Sequence, residues 1–254
     1  MFARIFGHQK PKQPTHIDVS HAGSVFRVLV KRAAAARRYT LRVRVASRDV
    51  VLTMPQRGTF SAAREFALRH AEWIDTRLKV LPGQSRFVIG TVVPVRGIEH
   101  LIVHRPNVKR TIWIEKNAAG DTSTISMQVC VSGDIRHVER RVQDYLKRES
   151  KRDIEAAVAY YTRKIGKAAS RITLRDTTSR WGSCSSKGSL NFSWRLVLAP
   201  SFVLDYIAAH EVAHLVHMNH AAAFWTLTKS LVPDFERAEI WLKTNGAGLH
   251  RFGV

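Results

Sequence analysis

The chain has 254 residues, 45% hydrophobic and 24% charged, a composition that excludes a disordered tail or low-complexity fibre and leaves ample material for a buried core. It holds only two cysteines, Cys130 and Cys184, which excludes a disulfide-stapled scaffold, and 41 Lys/Arg against 20 Asp/Glu, a net charge of +21. No apolar run approaches the roughly 20 residues of a membrane helix, and MFARIFGHQKPKQP at the start is too short and interrupted for a signal peptide, so no membrane association and a cytoplasmic location are expected.

The positive excess is uneven. Residues 1–50 carry 11 basic against 2 acidic residues and 151–200 carry 10 against 3, whereas 201–254 carry 4 against 5. Such an excess favours polyanions, so nucleic acid is a possible partner through the basic surface, although no recognised binding module accompanies the charge.

Residues 1–16 read as a loose basic arm. Strand patterns follow in VFRVLVKR and in YTLRVRVASRDVVLTMP, where Leu41, Val43 and Val45 alternate with Arg42, Arg44 and Ala46. SAAREFALRHAEWIDTRLKVL (61–81) predicts one helix, capped by Ser61, with Phe66, Trp73, Ile74 and Leu78 on its apolar side. FVIGTVVPVRG, HLIVHR, TIWIEK and TISMQVCV then read as short strands. Residues 17–131 are therefore expected to form a β-rich, mainly antiparallel N-terminal region with one helix.

Residues 132–254 are expected to form the second domain. SGDIRHVERRVQDYLKRESKRDIEAAVAYYTRKIG (132–166) predicts a long amphipathic helix, RITLRDTTSRWGSC and SLNFSWRLVLAP predict strands, and SFVLDYIAAHEVAHLVHM predicts a helix followed by one or two more. Ser201 is the expected cap of that helix, with Asp205 in its early turns, where the dipole favours an acid.

This helix is apolar on almost every side, through Val203, Leu204, Ile207, Ala208, Val212 and Leu215, so it should be buried and its polar residues should need partners. Those residues are His210, Glu211 and His214, which spell H-E-x-x-H. Positions i and i+4 share a helix face, so two imidazoles can grip one tetrahedral metal, with the glutamate beside the open position to take a proton from water and later return it to a leaving group. A third ligand is required. His217 shares the azimuth of His210 but lies roughly 10 Å further along the axis. His220 can reach the metal if the helix stops near Met218–Asn219, where Asn219 tolerates a left-handed conformation. His220 is the expected ligand, with His217 as the fallback. Three imidazoles favour Zn2+ over other divalent ions. The third-histidine spacing equals that of metzincins, but His217 stands where they have glycine and no methionine lies downstream for a Met-turn.

The segments RWGSCSSKGSLNFSWRLVLAP (180–200) and LDYIAAHEVAHLVHMNHAAAFW resemble the YgjP-like metallopeptidase family, relatives of the SprT-like zinc proteases. The likeness rests on W-G-S-C-S, L-N-F, Pro200, D-Y ahead of H-E-x-x-H, then N-H and F-W. It extends more loosely through VKRAAAARRYTLRVRV and FALRHAEWI. It implies His210, His214 and His220 as zinc ligands and Glu211 as general base. The implied fold is α+β: a zincin-like C-terminal domain with an active-site helix beside a small sheet, preceded by a β-rich N-terminal part. The sequence departs from the family in Ala221, where a small polar residue often follows the third histidine.

On their own terms, residues 181–198 read as a β-hairpin leading into the active-site helix, with Ser183, Cys184 and Ser185 as candidate lining of the substrate cleft. Trp225 is expected to pack the following helix on the core, and Tyr206 could stabilise an oxyanion only if it faces the cleft. The sequence thus points to a zinc-dependent hydrolase acting on peptides or proteins. The alternatives are a metal-dependent hydrolase of nucleotides or other phosphorylated small molecules, for which no phosphate-cradling glycine loop is present, and a DNA-associated SprT-like protease.

Overall fold

A computed structural model describes residues 15–44, 47–81, 83–117, 125–178 and 180–253. Residues 1–14, most of the expected arm, lie outside these, as do Val45 and Ala46 of the alternating strand pattern. The chain is α+β and divides into two compact units, Met1–Leu81 and Pro82–Val254.

In the first unit β1 (His16–His21) and β2 (Ser24–Ala33) form a hairpin, turned by Ala22 and Gly23 at φ 46° and 77°. With β3 (Thr40–Val43) and β4 (Val50–Pro55) they make a sheet of order β1-β2-β4-β3. β2 and β4 are parallel, within a sheet whose other two pairs, β1–β2 and β3–β4, are antiparallel, so the region is mainly antiparallel as expected. The expected single helix is two: α1 (Phe60–Arg69) and α2 (Ala71–Val80), broken at His70, whose Nδ1 lies 2.8 Å from the Phe66 carbonyl. Thr59, not Ser61, caps α1, because Thr59 has the extended backbone that lets its hydroxyl accept from Ala62 N at 3.2 Å. The buried stripe runs through Ala63, Ala67, Ala71 and Ile74, while Trp73 is 44% exposed, contrary to expectation.

In the second unit β5 (Val92–Val95), β6 (Ile98–His104), β7 (Ile112–Lys116) and β8 (Met127–Val131) form a sheet of order β5-β6-β8-β7, with β6 and β8 parallel. A 3-10 turn, Ile135–His137, leads into α3 (Val138–Ile165), which stops at Gly166 in the left-handed conformation, φ 66°. Then come β9 (Arg171–Arg175), β10 (Gly182–Cys184) and β11 (Ser189–Ser193), ordered β10-β11-β9. Among the described residues β10 pairs with β11 only, which leaves its other side a free edge.

WRLVL, expected as strand, is a buried 3-10 helix, Trp194–Leu198, started by the Ser193 hydroxyl accepting from Arg195 N. Three helices complete the unit: α4 (Ser201–Ala213), α5 (Ala222–Leu231) and α6 (Phe235–Leu249). Pro200 precedes α4 at the cap position, where Ser201 was expected.

The compact division falls at 81/82, whereas the hydrophobicity pattern placed it at 131/132. The reason is packing: Ile102, Val129 and Val131 of the second sheet share one core with Val142 and Leu146 of α3, Trp194, and Val203 and Val212 of α4. A strand pattern tells which face is buried but not which partner buries it. Leu146 has no exposure; Leu146→Ala is expected to destabilise the second unit by about 2–5 kcal/mol, read as a lower urea midpoint with an unchanged slope.

Candidate metal centre

The site starts from α4. His210 and Glu211 sit in its last turn and His214 is its C-cap, at φ −65° and ψ −18°. The helix therefore ends about five residues before Asn219, which is not among the residues at positive φ. Two tight turns finish it instead, with Leu215 N donating to the Val212 carbonyl and Val216 N to Ala213, while Lys167 Nζ donates to the Leu215 carbonyl at 3.1 Å. Asn219 acts through its side chain, whose Oδ1 accepts from Ala221 N at 3.4 Å, a turn that Asn forms readily. Ala221, where a small polar residue was expected, precedes α5 with extended backbone and supplies no side-chain cap.

This path returns His220 to the helix. One nitrogen from each of His210, His214 and His220 lies within 4.8 Å of the others, and Nε2 of His210 is 3.2 Å from Nε2 of His220. Two ligand nitrogens on a tetrahedral zinc, with bonds of about 2.0–2.1 Å, stand roughly 3.3–3.4 Å apart, so this spacing fits such an ion.

The opposite ring nitrogens are held. Tyr206 Oη lies 3.4 Å from His210 Nδ1 and donates to Glu239 Oε1 at 2.7 Å. His214 Nδ1 lies 2.9 Å from the His217 carbonyl. Both contacts suit a proton on Nδ1 and a lone pair on Nε2. His217 thus enters through its backbone while its ring stays outside the cluster. Tyr206 braces His210 and is committed to Glu239, so it is not free to meet an oxyanion.

Burial pushes His210 down to about 4, helped by its two histidine neighbours, and it also lowers His214. Phe224 packs its ring 4.4–4.9 Å from all three. Trp225 stacks on Phe235 of α6, as a core-packing role requires, and also flanks His220 at 5.6 Å.

Glu211 is 5% exposed and its Oε2 has no hydrogen-bond partner. Burial raises its carboxyl to about 8, against a smaller opposing pull from the Arg180 cation. Space for it comes from Gly182 in β10: a Cβ there would stand 2.6 Å from Glu211 Cγ and 2.8 Å from Cδ. A cleft of about 310 Å³ joins Glu211 and the three histidines to Arg180, Gly182, Ser183, Cys184 and Met218. Ser183 and Cys184 line it, whereas Ser185 lines the neighbouring cleft. The Cys184 thiol is raised by burial and by Glu211, which makes it a poor nucleophile.

Sequence reasoning missed four contributors: Gly182, Phe224, Glu239 and Arg180. Gly182 and Phe224 stand inside the quoted W-G-S-C-S and F-W motifs, but a motif gives no hint that one is a gap and the other a wall. Glu239 gives no signal at all, because its partner lies 33 residues away in the chain.

The YgjP-like metallopeptidase domain matches residues 39–245. The chain belongs to the YgjP-like metallopeptidase family. Membership makes it, in general terms, a metal-dependent peptidase acting on a peptide or protein. No curated protein matches the chain. Among solved structures, the metallopeptidase zymogen of Pyrococcus abyssi abylysin is similar at 21% identity, over 36% of this chain and 95% of that one, with a TM-score of 0.32, too slight an overlap to bear on the fold. No helix among the described residues is long and apolar enough to cross a membrane.

Gly182→Ala is expected to displace the Glu211 carboxylate and lower peptide cleavage by about 100-fold, with metal content unchanged. Atomic absorption and a fluorogenic peptide assay on the same preparation check this.

Proposed function

We propose that this family member is a zinc-dependent peptidase in which His210, His214 and His220 hold the ion through their Nε2 atoms and Glu211 is the general base. One observation carries the reading: a buried carboxylate with an unpartnered oxygen stands in the same cleft as three converging imidazole nitrogens. Bound zinc would supply Lewis acidity, polarising the scissile carbonyl and acidifying water. Glu211 takes the proton from the attacking water onto its carboxylate and passes it to the leaving amine nitrogen.

The free edge of β10 gives an extended substrate a backbone to pair with, by strand addition, and Gly182 keeps that edge close to Glu211. Ser183 and Cys184 then line the substrate path, with Ser185 beyond. A domain of zincin type, beginning within the second unit, and a cytoplasmic setting, which suits two free cysteines, complete the reading.

Protein stripped with chelator and titrated with zinc is expected to bind one equivalent and recover peptide cleavage. Glu211→Gln keeps the zinc and loses cleavage by about 1,000-fold or more. His220→Ala is expected to lose zinc, and a variant that bound it like wild type would refute the ligand assignment. Tyr206→Phe removes the brace on His210 Nδ1, and its zinc affinity is expected to fall about 10- to 100-fold, as measured by competition with a chromogenic chelator.

A further inference from the structure

Three clefts with shared lining residues lie around β10 and the turn after it. Through Arg180, Gly182 and Ser183 the central cleft opens into one of about 250 Å³ that also takes in Arg175. Through His214 and Met218 it opens on the other side into one of about 300 Å³ that holds Lys167 and Lys187. The three linings contain four cations, Arg175, Arg180, Lys167 and Lys187, and one acid, Glu211. All four cations are exposed, and among the described residues none is in an ion pair.

The cleft of about 540 Å³ beside the start of α4 has Arg96, but Glu149 and Asp153 bind it at 2.8 and 2.7 Å, and Asp205 lines the same space. In that cleft the cation is neutralised, whereas the linings around Glu211 hold two cations on either side that are in no ion pair among the described residues, although Lys167 Nζ also donates to the Leu215 carbonyl.

We propose that the groove selects peptides carrying acidic side chains on both sides of the bond that is cut. The proposal rests on the peptidase reading above and names its substrate class. An extended chain advances about 3.3 Å per residue. Arg180 precedes the three-residue β10 and Lys187 lies in the turn after it. A substrate laid along β10 therefore meets a cation within two or three residues of the histidine cluster in either direction. The groove suits a polypeptide better than single-stranded nucleic acid, which binds by stacking bases on exposed aromatic rings. Apart from the histidines, the linings offer only Phe192, which is 1% exposed.

The test uses zinc-loaded full-length Glu211→Gln, so that peptides are bound without being consumed, and fluorescence anisotropy with three short peptides that differ only in Glu, Ala or Lys flanks. The Glu peptide is expected to bind roughly ten-fold tighter than the Ala peptide at low salt and to lose that advantage at about 0.5 M salt. Added singly, Arg180→Glu and Lys187→Glu should each abolish the preference at one end of the peptide. Lys243→Glu, the same charge change outside the three clefts, should leave it intact. Equal affinity for all three peptides overturns the proposal, as does displacement of the Glu peptide by an oligonucleotide of equal charge at lower concentration.

Wild-type cleavage separates the two readings. Discriminating binding with no cleavage of any peptide refutes the peptidase and leaves the acidic preference standing. Cleavage that ignores the flanks refutes the preference and leaves the peptidase.

Discussion

Helix α4 is apolar on nearly every side, and a helix buried all round must answer for every polar group it carries. Val203, Ile207, Ala208 and Val212 lock it into the core of the second unit. In its last turn His210 is answered by the Tyr206–Glu239 pair and, at its end, His214 by the His217 carbonyl. Glu211 Oε2 is answered by nothing. Among the described side chains of this helix, the buried polar atom left without a partner is Glu211 Oε2, in the cleft beside the histidines. The helix that holds the core together also concentrates its unmet hydrogen bonding where chemistry is to be done.

That concentration explains why so much of the site was legible in the sequence. The H-E-x-x-H spacing and the apolar faces around it are local, and local periodicity survives folding. His220 was preferred to His217 on axial rise along a helix, with His217 kept as the fallback; the helix ends at Ala213, before either residue, and it is the His220 ring that joins the cluster. The route was misjudged, however. The chain turns back at His214 rather than Asn219, through tight turns whose carbonyls find Lys167 and backbone partners, and no left-handed residue is needed.

The fold was legible to the extent that each element was self-contained. Strand positions emerged well because alternation is a property of neighbours. Pairing did not: β2 with β4 and β6 with β8 run parallel, and nothing in the alternation of either strand encodes that direction. The compact unit beginning at Pro82 has the same origin, since β5–β8 and α3 are joined by a shared core and not by any signal in the connecting sequence. Gly182 is the sharpest case. Its function is to lack a side chain beneath Glu211, 29 residues later, and an absent atom leaves no pattern to find.

The unpaired side of β10 has a cost as well as a use. An open strand edge invites a second copy of the same chain to pair with it, the first step towards edge-to-edge aggregation. Here the exposed stretch is only three residues long, and positive side chains stand at both ends of it. Two molecules approaching edge to edge would bring like charges together before any ladder could form. The molecule can thus leave its edge uncovered for other strands to dock while remaining repelled by its own kind.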